Sequence, residues 1–527
     1  MLPRTHESRL TEFDEAVFQV FVPQDHYLRR VADCIDFERF RATLEEGYCP
    51  TMGRPPIDVV RMFQFMFLRF HYKLSDRQVM VRTQTDMAFR WFLSLGQSEN
   101  IPDHTNGTHF RQRVGAERFD GLFQELVSQA REHGLVSDRL RLKDATHVFA
   151  DAAEVQPLRL AAQVRDRLLR EAKPFFPEWV AEQSLKMEAL RQATAELADQ
   201  ERLARRLEFL LEMTVQLRER VAALPNRDHA DVPYHRLERI LAVAAKLLDD
   251  HADPKAGDRL ASGVDSEARV GKHGDYYTGF MLDMAIDADS EIITAINLLP
   301  ANGQEAADAV VLIRKEEEAQ GNDVAGLSMD GIGYNGPVLR ELGAPDGLNL
   351  EVIVPPPRVP ERRTYGPERF ALTVLEDGKG ELTCPAGQKT RQRERTADEM
   401  GSKYTFKASQ CSRCNQREDC LQNPASKKGR KVIKNDYEGE YRKLQAKVGT
   451  EEYQKTRGEH SKIERKLGEM ARHHGMRQAQ FRGEEKVRSQ ALLTGMVVNI
   501  KRMVYLFSRK VLDVVSPLTV RAEPCKT

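Results

Sequence analysis

The sequence predicts an α/β core, a mixed sheet with helices packed on it. Two insertions interrupt that core, one helical and one Cys-bearing, and an all-α N-terminal domain precedes it. Three observations lead there. Residues 1–135 read as helical. Strand-like runs recur at 139–150, 277–298, 327–329 and 350–355, with a helical run from Gln304 to Ala319 among them; antiparallel strands followed by strand–helix–strand units make a mixed sheet covered by helices. Two stretches break that rhythm, because 155–254 is helical and 361–445 loses the apolar pattern while gaining charge, Gly and Cys. The expected segments are therefore 1–135, 136–154 with 255–360 as the first part of the core, 155–254, 361–445, and 446–527 as basic helices that complete the core.

Pro55-Pro56 opens Ile57–Phe70, which is apolar on most faces and reads as a buried helix. Ser75-Asp-Arg-Gln78 has the form of a capping box. The turn at Ile101-Pro-Asp-His-Thr-Asn-Gly107 leads into a helix carrying Arg111 and Arg113, a pattern shared by helix-turn-helix readers and plain bundles. In the first strand Leu140, Leu142 and Asp144 share one face by the two-residue period. Leu203, Leu207, Leu210, Thr214, Leu217, Val221 and Leu224 recur at alternating steps of four and three, a seam for core or dimer packing that Pro225-Asn226 ends. Asp287-Ala-Asp-Ser290 is the turn between two long strands. Leu327–Met329 and Leu350–Pro355 are short buried strands, and helices return after 446.

A chain of 527 residues accommodates about three or four domains at roughly 150 residues each. Its apolar runs fall short of the ~20 residues of a membrane helix, and the charged start Met1-Leu-Pro-Arg-Thr-His-Glu7 has no apolar signal core. Seven unevenly spread cysteines fit a reducing cytoplasm better than a disulfide framework. Net charge is zero, but it is unevenly distributed: Leu421–Thr527 has 24 Lys/Arg against 12 Asp/Glu, whereas Val155–Asp250 is balanced at 16 against 16. A local basic surplus of this kind is where a phosphate backbone would be held.

Within that basic region lies Glu464, in Lys462-Ile-Glu-Arg-Lys-Leu467. With Asp144 at the end of one strand and Asp330 at the end of another, it forms a set of three acids. Such carboxylates, on strand ends and a facing helix, suit two hard cations that activate a hydroxyl and stabilise a leaving oxygen in phosphoryl transfer. Glu459 and Glu469 rival Glu464, and Asp151 rivals Asp144.

Order and context of several blocks carry a resemblance. Lys143-Asp-Ala-Thr-His147, Asp330-Gly-Ile-Gly-Tyr334, Ile463-Glu464, Arg482-Gly-Glu-Glu-Lys-Val-Arg488 and Asn499-Ile-Lys-Arg502 resemble the signature blocks of bacterial insertion-sequence DDE transposases with an InsH-like N-terminal domain. Gly53-Arg-Pro-Pro56, His273-Gly-Asp-Tyr-Tyr-Thr-Gly279 and Pro300-Ala-Asn-Gly303 are similar to further blocks of that group. The resemblance implies an RNase H-like core with a five-stranded mixed sheet and Asp144, Asp330 and Glu464 as catalytic, metal-holding acids. It implies Mg²⁺, with Mn²⁺ as a substitute, and double-stranded DNA partners, namely terminal inverted repeats and target DNA. It also implies a homodimer, cleavage followed by strand transfer, and a bacterial cytoplasmic, nucleoid-associated location with no membrane. The family's Lys about seven residues after its Glu is replaced here by Ala471, followed by Arg472; His460, Arg457 and Lys462 precede the acid.

Arg457, Lys462, Arg465, Lys466, Arg472 and Arg477 are candidate phosphate contacts, alongside Arg111 and Arg113. Cys384, Cys411, Cys414 and Cys420 include one Cys-x-x-Cys pair and could form a structural Zn²⁺ site, although the 26 residues between Cys384 and Cys411 exceed compact finger spacing. Cys34, Cys49 and Cys525 stand apart. Two other classes compete with an enzyme: a non-catalytic DNA-binding derivative of a transposase that represses its own element, and a scaffold built on the 185–224 helix. Metal-dependent cleavage separates the first from an enzyme, and DNA binding separates both from the scaffold.

Overall fold

The computed structural model describes residues 10–49, 57–152, 155–224, 232–253, 255–358, 364–375 and 380–515. The Gly53-Arg-Pro-Pro56 block, the Pro225-Asn226 break, Cys525 and the tail beyond 515 lie outside the described residues.

Helices come first in the chain: α1 (Glu12–Phe21), α2 (Tyr27–Cys34), α3 (Arg41–Glu45), α4 (Val59–His71), α5 (Asp76–Thr85), α6 (Met87–Phe92) and α7 (Thr105–Glu132). Strand β1 (Arg141–Phe149) precedes α8 (Pro157–Ala172), α9 (Pro177–Ala193), α10 (Asp199–Ala222) and α11 (Val232–Ala252). Then come β2 (Arg269–His273), β3 (Asp275–Asp287), β4 (Ile293–Pro300), α12 (Glu305–Gln320), β5 (Gly326–Ser328), α13 (Gly336–Gly343) and β6 (Glu351–Ile353). Six short strands follow, β7 (Ala371–Val374), β8 (Gly380–Thr383), β9 (Lys389–Thr390), β10 (Arg393–Arg395), β11 (Gly401–Thr405) and β12 (Lys431–Asn435), with α14 (Ala408–Ser412) and α15 (Arg417–Cys420) among them. The chain closes with α16 (Glu438–Lys447), α17 (Glu451–Glu459), α18 (Ser461–His473) and α19 (Glu484–Val515).

These elements form two compact units. One holds the chain up to Ser137, Ala145–Glu305 and everything from Glu464; the other holds Asp138–Asp144 and Ala306–Ile463. The division falls inside β1 and inside α18.

In the first unit α19 packs on α2, α4, α7 and β4. Its stretch Glu484–Arg509 is long and apolar enough to cross a membrane by composition, yet 67% of that window is buried inside the protein. That burial is what a core helix shows. Ser75 and Gln78 make the expected capping box at the start of α5. Strand β3 pairs antiparallel with β2 through Asp275–Gly279 and with β4 through Phe280–Ile286, and the turn is closed by Asp287, whose carboxylate accepts from the Ser290 backbone and hydroxyl. Where β3 meets β1, a Cβ on Gly279 would come within 2.0 Å of the Val148 carbonyl oxygen, so only glycine allows the two backbones to approach. The 155–252 helices have their own core. Leu210, Thr214, Leu217 and Val221 of the heptad-like seam are buried, Leu203 and Leu207 pack against the same cluster, and α10 meets α8 and α11. The seam is filled by its own chain.

In the second unit Arg141 and Leu142 of β1 pair parallel with Leu327 and Ser328 of β5, which pairs parallel with β6. Strand β5 is buried along its length, as parallel strands covered on both faces are. Ala309 and Ile313 of α12, Leu339 and Leu342 of α13, and Leu444 of α16 share one core with Leu327 and Val352. Tyr334 stacks on Tyr441 with ring centroids 4.5 Å apart, and a Cβ on Gly336 would strike the Tyr437 ring. The 364–435 stretch is a small β region of two three-stranded antiparallel sheets, β7–β8–β9 and β10–β11–β12.

Beside the β1–β5 pairing, Arg141 donates to Glu316 of α12 at 2.6 Å, and both side chains are 0% exposed. Removing one partner of such a pair leaves an uncompensated buried charge. Glu316→Gln should destabilise the second unit by about 3–5 kcal/mol, read as a lowered chemical-denaturation midpoint; an unchanged midpoint would show that the pair is dispensable.

Candidate active site

The β1–β5 register sets the geometry. Leu142 faces Ser328 across the ladder, and Asp144 and Asp330 each lie two residues beyond that pair, Asp330 past the end of β5. Both are half-buried. Asp330 also caps the 3-10 turn Gly331–Gly333, its Oδ1 accepting from the Ile332 N–H at 3.0 Å.

Helix α17 and the residue after it cover this strand end. Arg457 donates through Nη1 to the Met329 carbonyl at 2.6 Å and to Ser328 Oγ at 3.4 Å. His460 is buried with Nδ1 3.5 Å from Ser328 Oγ. Burial holds its pKa down at about 4, Arg457 adds to this, and the nearby Asp330 carboxylate only partly offsets it. The imidazole is therefore neutral at neutral pH.

The three candidates for a third acid differ sharply in their partners. Glu459 is clamped between Arg139 (3.2 Å) and Lys462 (2.8 Å). Burial pushes its carboxyl up, but Lys462 and Arg139 outweigh burial and hold it below the usual range. Glu469 is bridged by Lys466 (3.1 Å) and Lys501 (2.7 Å), and there too the cations overcome the opposing effect of burial. Glu464, one turn after His460 on α18, is exposed and has no side-chain hydrogen bond or ion pair among the described residues. Asp151, the rival of Asp144, pairs with Arg482 at 3.1 Å. No group of three or more His, Cys, Asp or Glu side chains converges on a common centre among the described residues.

The basic candidates divide by burial. Arg111 is 9% exposed, bidentate to Asp76 at 2.8 and 2.7 Å, and stacked over Phe481 at 4.9 Å. A guanidinium so held supports the helix packing and is not offered to a ligand. Lys466 is buried on Glu469. Arg477 donates to Thr146 and the His147 ring, beside the backbone bridge that joins Phe149 to Gln478. Lys462 is half-buried on Glu459. Arg113, exposed beside the Tyr48 ring, and Arg465 and Arg472 reach solvent. Arg465 also borders a cleft of about 340 Å³ lined by Lys466, Glu469, Lys501, Arg502 and Glu291, in which cations outnumber acids.

The four thiols of the Cys-bearing stretch lie near one another without meeting at a common centre. Cys384, Cys411 and Cys420 pack on the small cluster of Phe370, Leu382, Tyr404, Phe406 and Val432. Burial pushes the Cys420 thiol up, Arg430 opposes it, and Cys411, Cys384 and Cys414 all lie within electrostatic reach.

Comparison with known families places these features. Residues 16–113 match the Transposase domain (DUF772) family, and residues 383–504 match the Transposase DDE domain family. Both descriptions are of transposases. The two matches together support an insertion-sequence DDE transposase. The second match runs from before Cys384 past Glu464 and Asn499, and neither match reaches Asp144 or Asp330. No curated protein and no solved structure matches the chain.

Three imidazoles give the molecule a pH limit. His71, stacked on Tyr27, and the buried His474 are also held at about 4, in each case chiefly by burial, with Lys501 adding to it. Their folded values lie below the unfolded value near 6.5, so the stability they contribute is complete above pH 6.5 and is lost as pH falls toward 4. Melting temperature should already drop between pH 6.5 and 5, before carboxylates titrate, by an amount equivalent to about 2 kcal/mol per imidazole. A flat profile over that window would contradict the burial argument.

Proposed function

We propose that the protein binds the terminal inverted repeats of its element and carries out divalent-cation-dependent strand cleavage and strand transfer, with Asp144, Asp330 and Glu464 as the catalytic acids of an RNase H-like core. One observation supports this reading: the parallel β1–β5 ladder pairs Leu142 with Ser328, and Asp144 and Asp330 each follow two residues beyond that pair. Strand order supports it, because β1 lies next to β3, which pairs with β4, in one unit and next to parallel β5 and then β6 in the other.

The donor set fits a hard cation. Mg²⁺ is bound by one or two carboxylates, keeps several waters and takes its remaining ligands from substrate phosphates, so a converged cage of three side chains is not required. Asp144 and Asp330 would hold the cation with Glu464, and Mn²⁺ suits the same oxygens. Bound there, the metal supplies Lewis acidity for a hydroxyl that attacks phosphorus in line and for the 3′-oxygen that leaves. The chain's own contribution is orientation. The Ile332 N–H fixes one oxygen of Asp330. Arg457 ties α17 to the strand end that carries it. His460, neutral, adds no positive charge there that would compete with a cation. Arg113, Arg465 and Arg472 are exposed, which suits phosphate contacts that position DNA without reading bases. Joining two element ends calls for two copies of the chain.

The test is full-length protein with Mg²⁺ or Mn²⁺ and labelled DNA carrying the repeats that flank its gene. Asp144→Ala, Asp330→Ala and Glu464→Ala should each lower cleavage by roughly 10³-fold or more, as removal of groups that act as a unit does. Glu459→Gln and Glu469→Gln should keep most of the cleavage. Repeat binding without cleavage by the wild type would leave the self-repressor as the better reading, and loss of cleavage in Glu459→Gln with retention in Glu464→Ala would move the third acid.

The basic residues should separate in two assays. Arg113→Ala, Arg465→Ala and Arg472→Ala should leave stability within about 0.5 kcal/mol of wild type, while weakening DNA binding and flattening its salt dependence. Arg111→Ala should instead lower the melting temperature, because it leaves Asp76 buried without its bidentate partner.

A further inference from the structure

We propose that Cys384, Cys411, Cys414 and Cys420 form a tetrathiolate zinc site that holds the 364–435 region together. The first argument is the size of its core. The cluster of that region comprises five buried side chains, Phe370, Leu382, Tyr404, Phe406 and Val432, and its strands are only two to five residues long. A region this small buries too little apolar surface to order its chain, and metals are a common substitute for a core. The cysteines sit where a staple would act, with three of the four packed on the rim of that cluster.

The second argument is what the backbone does around the sulfurs. Cys384-Pro-Ala-Gly387 folds into a tight turn. The Gly387 N–H donates to the Cys384 carbonyl at 2.8 Å, Gly387 takes φ +78°, and the next N–H, of Gln388, donates to Cys384 Sγ at 3.3 Å. The Arg430 N–H donates to Cys411 Sγ at 3.4 Å. A neutral thiol is a weak acceptor, whereas a thiolate, the form that binds metal, is a strong one. Backbone N–H groups aimed at two sulfurs from different segments are the supporting contacts that a metal thiolate uses. Cys414 follows Cys411 by three residues, with its N–H returning to the Cys411 carbonyl, and Arg417 ties that carbonyl to Pro424 and Ser426. Four thiolates on one zinc leave a net charge of 2−, and the basic run Lys427-Lys-Gly-Arg-Lys431 supplies the offsetting charge. Binding would release the thiol protons and draw the four sulfurs onto one centre.

Metal content of the full-length chain, expressed with zinc in the medium and purified without chelator, tests this independently of any DNA reaction. One zinc per chain is expected, released in step with modification of four thiols by a mercurial. Cys411→Ser and Cys414→Ser should lose the metal, while Cys34→Ser and Cys49→Ser keep it. Cobalt added to metal-stripped wild type should give the strong visible absorption of tetrahedral thiolate coordination. The proposal is overturned if the wild type purifies without zinc and takes up no cobalt. It is also overturned if the zinc persists in both Cys411→Ser and Cys414→Ser, or if the intact mass is lower by two hydrogens, which would place a disulfide where the metal is expected.

Discussion

The pairing of Arg141 and Leu142 with Leu327 and Ser328 is the constraint on which the strand ends leading to Asp144 and Asp330 depend. A slip of one residue would change which positions of the two chains lie level beyond it. Only two residue pairs define the ladder, so the register needs support from outside it. The fully buried Arg141–Glu316 pair supplies that support from α12, and Asn322 and Arg141 both bond Asp138 at the start of the strand. A buried ion pair is a poor source of net stability compared with an apolar contact of similar size, but it tolerates few geometries. At this position, specificity is what two neighbouring carboxylates require.

The same residue types meet opposite fates within short distances. Arg111 and Arg113 are two positions apart on α7, yet one is enclosed by Asp76 and Phe481 and the other faces solvent. Lys466 and Arg465 are adjacent on α18 and divide in the same way. Helical periodicity makes the division inevitable, since neighbouring positions point about 100° apart. The buried half of a basic helix needs acids to meet it, as Glu469 and Asp76 do here, and the exposed half reaches solvent.

Much of the main framework was legible in the sequence because its signals are local. The capping box at Ser75, the turn at Asp287 and the helix from about Gln304 each depend on a few adjacent residues. The long strands β3 and β4 announce themselves by apolar runs. What escaped has physical reasons. Strands β7–β12 are short, and some alternate charge rather than hydrophobicity, as Arg393-Glu-Arg395 does, so no apolar period marks them. Strand β2 contains Gly271 and ends at a glycine turn, with a composition close to that of a loop. The seam on α10 was visible, but its partners on α8 and α11 lie tens of residues away in the chain and only the fold identifies them. Asp144 and Asp330 stood out by position, whereas the Arg141–Glu316 pair spans 175 residues and left no local trace. The partners of Glu459 and Glu469 were equally invisible, and they are what distinguishes Glu464 from its neighbours.

The candidate acids are spread over 320 residues of chain, and that separation costs less than it suggests. Closing a flexible loop costs about 0.6 kcal/mol more for each doubling of its length, provided that the inserted chain does not have to be ordered at the expense of the core. The 155–252 insertion meets that condition with its own buried cluster on α8, α10 and α11. The 364–435 insertion has a buried cluster of five residues among those described, and it lies between β6 and α16, on the path from Asp330 to α17 and α18. Any looseness there reaches the helix that carries Arg457 and His460 to the strand end. The zinc site proposed above would order that region where apolar burial is small, a structural purpose that neither the spacing of the cysteines nor the catalytic chemistry demands.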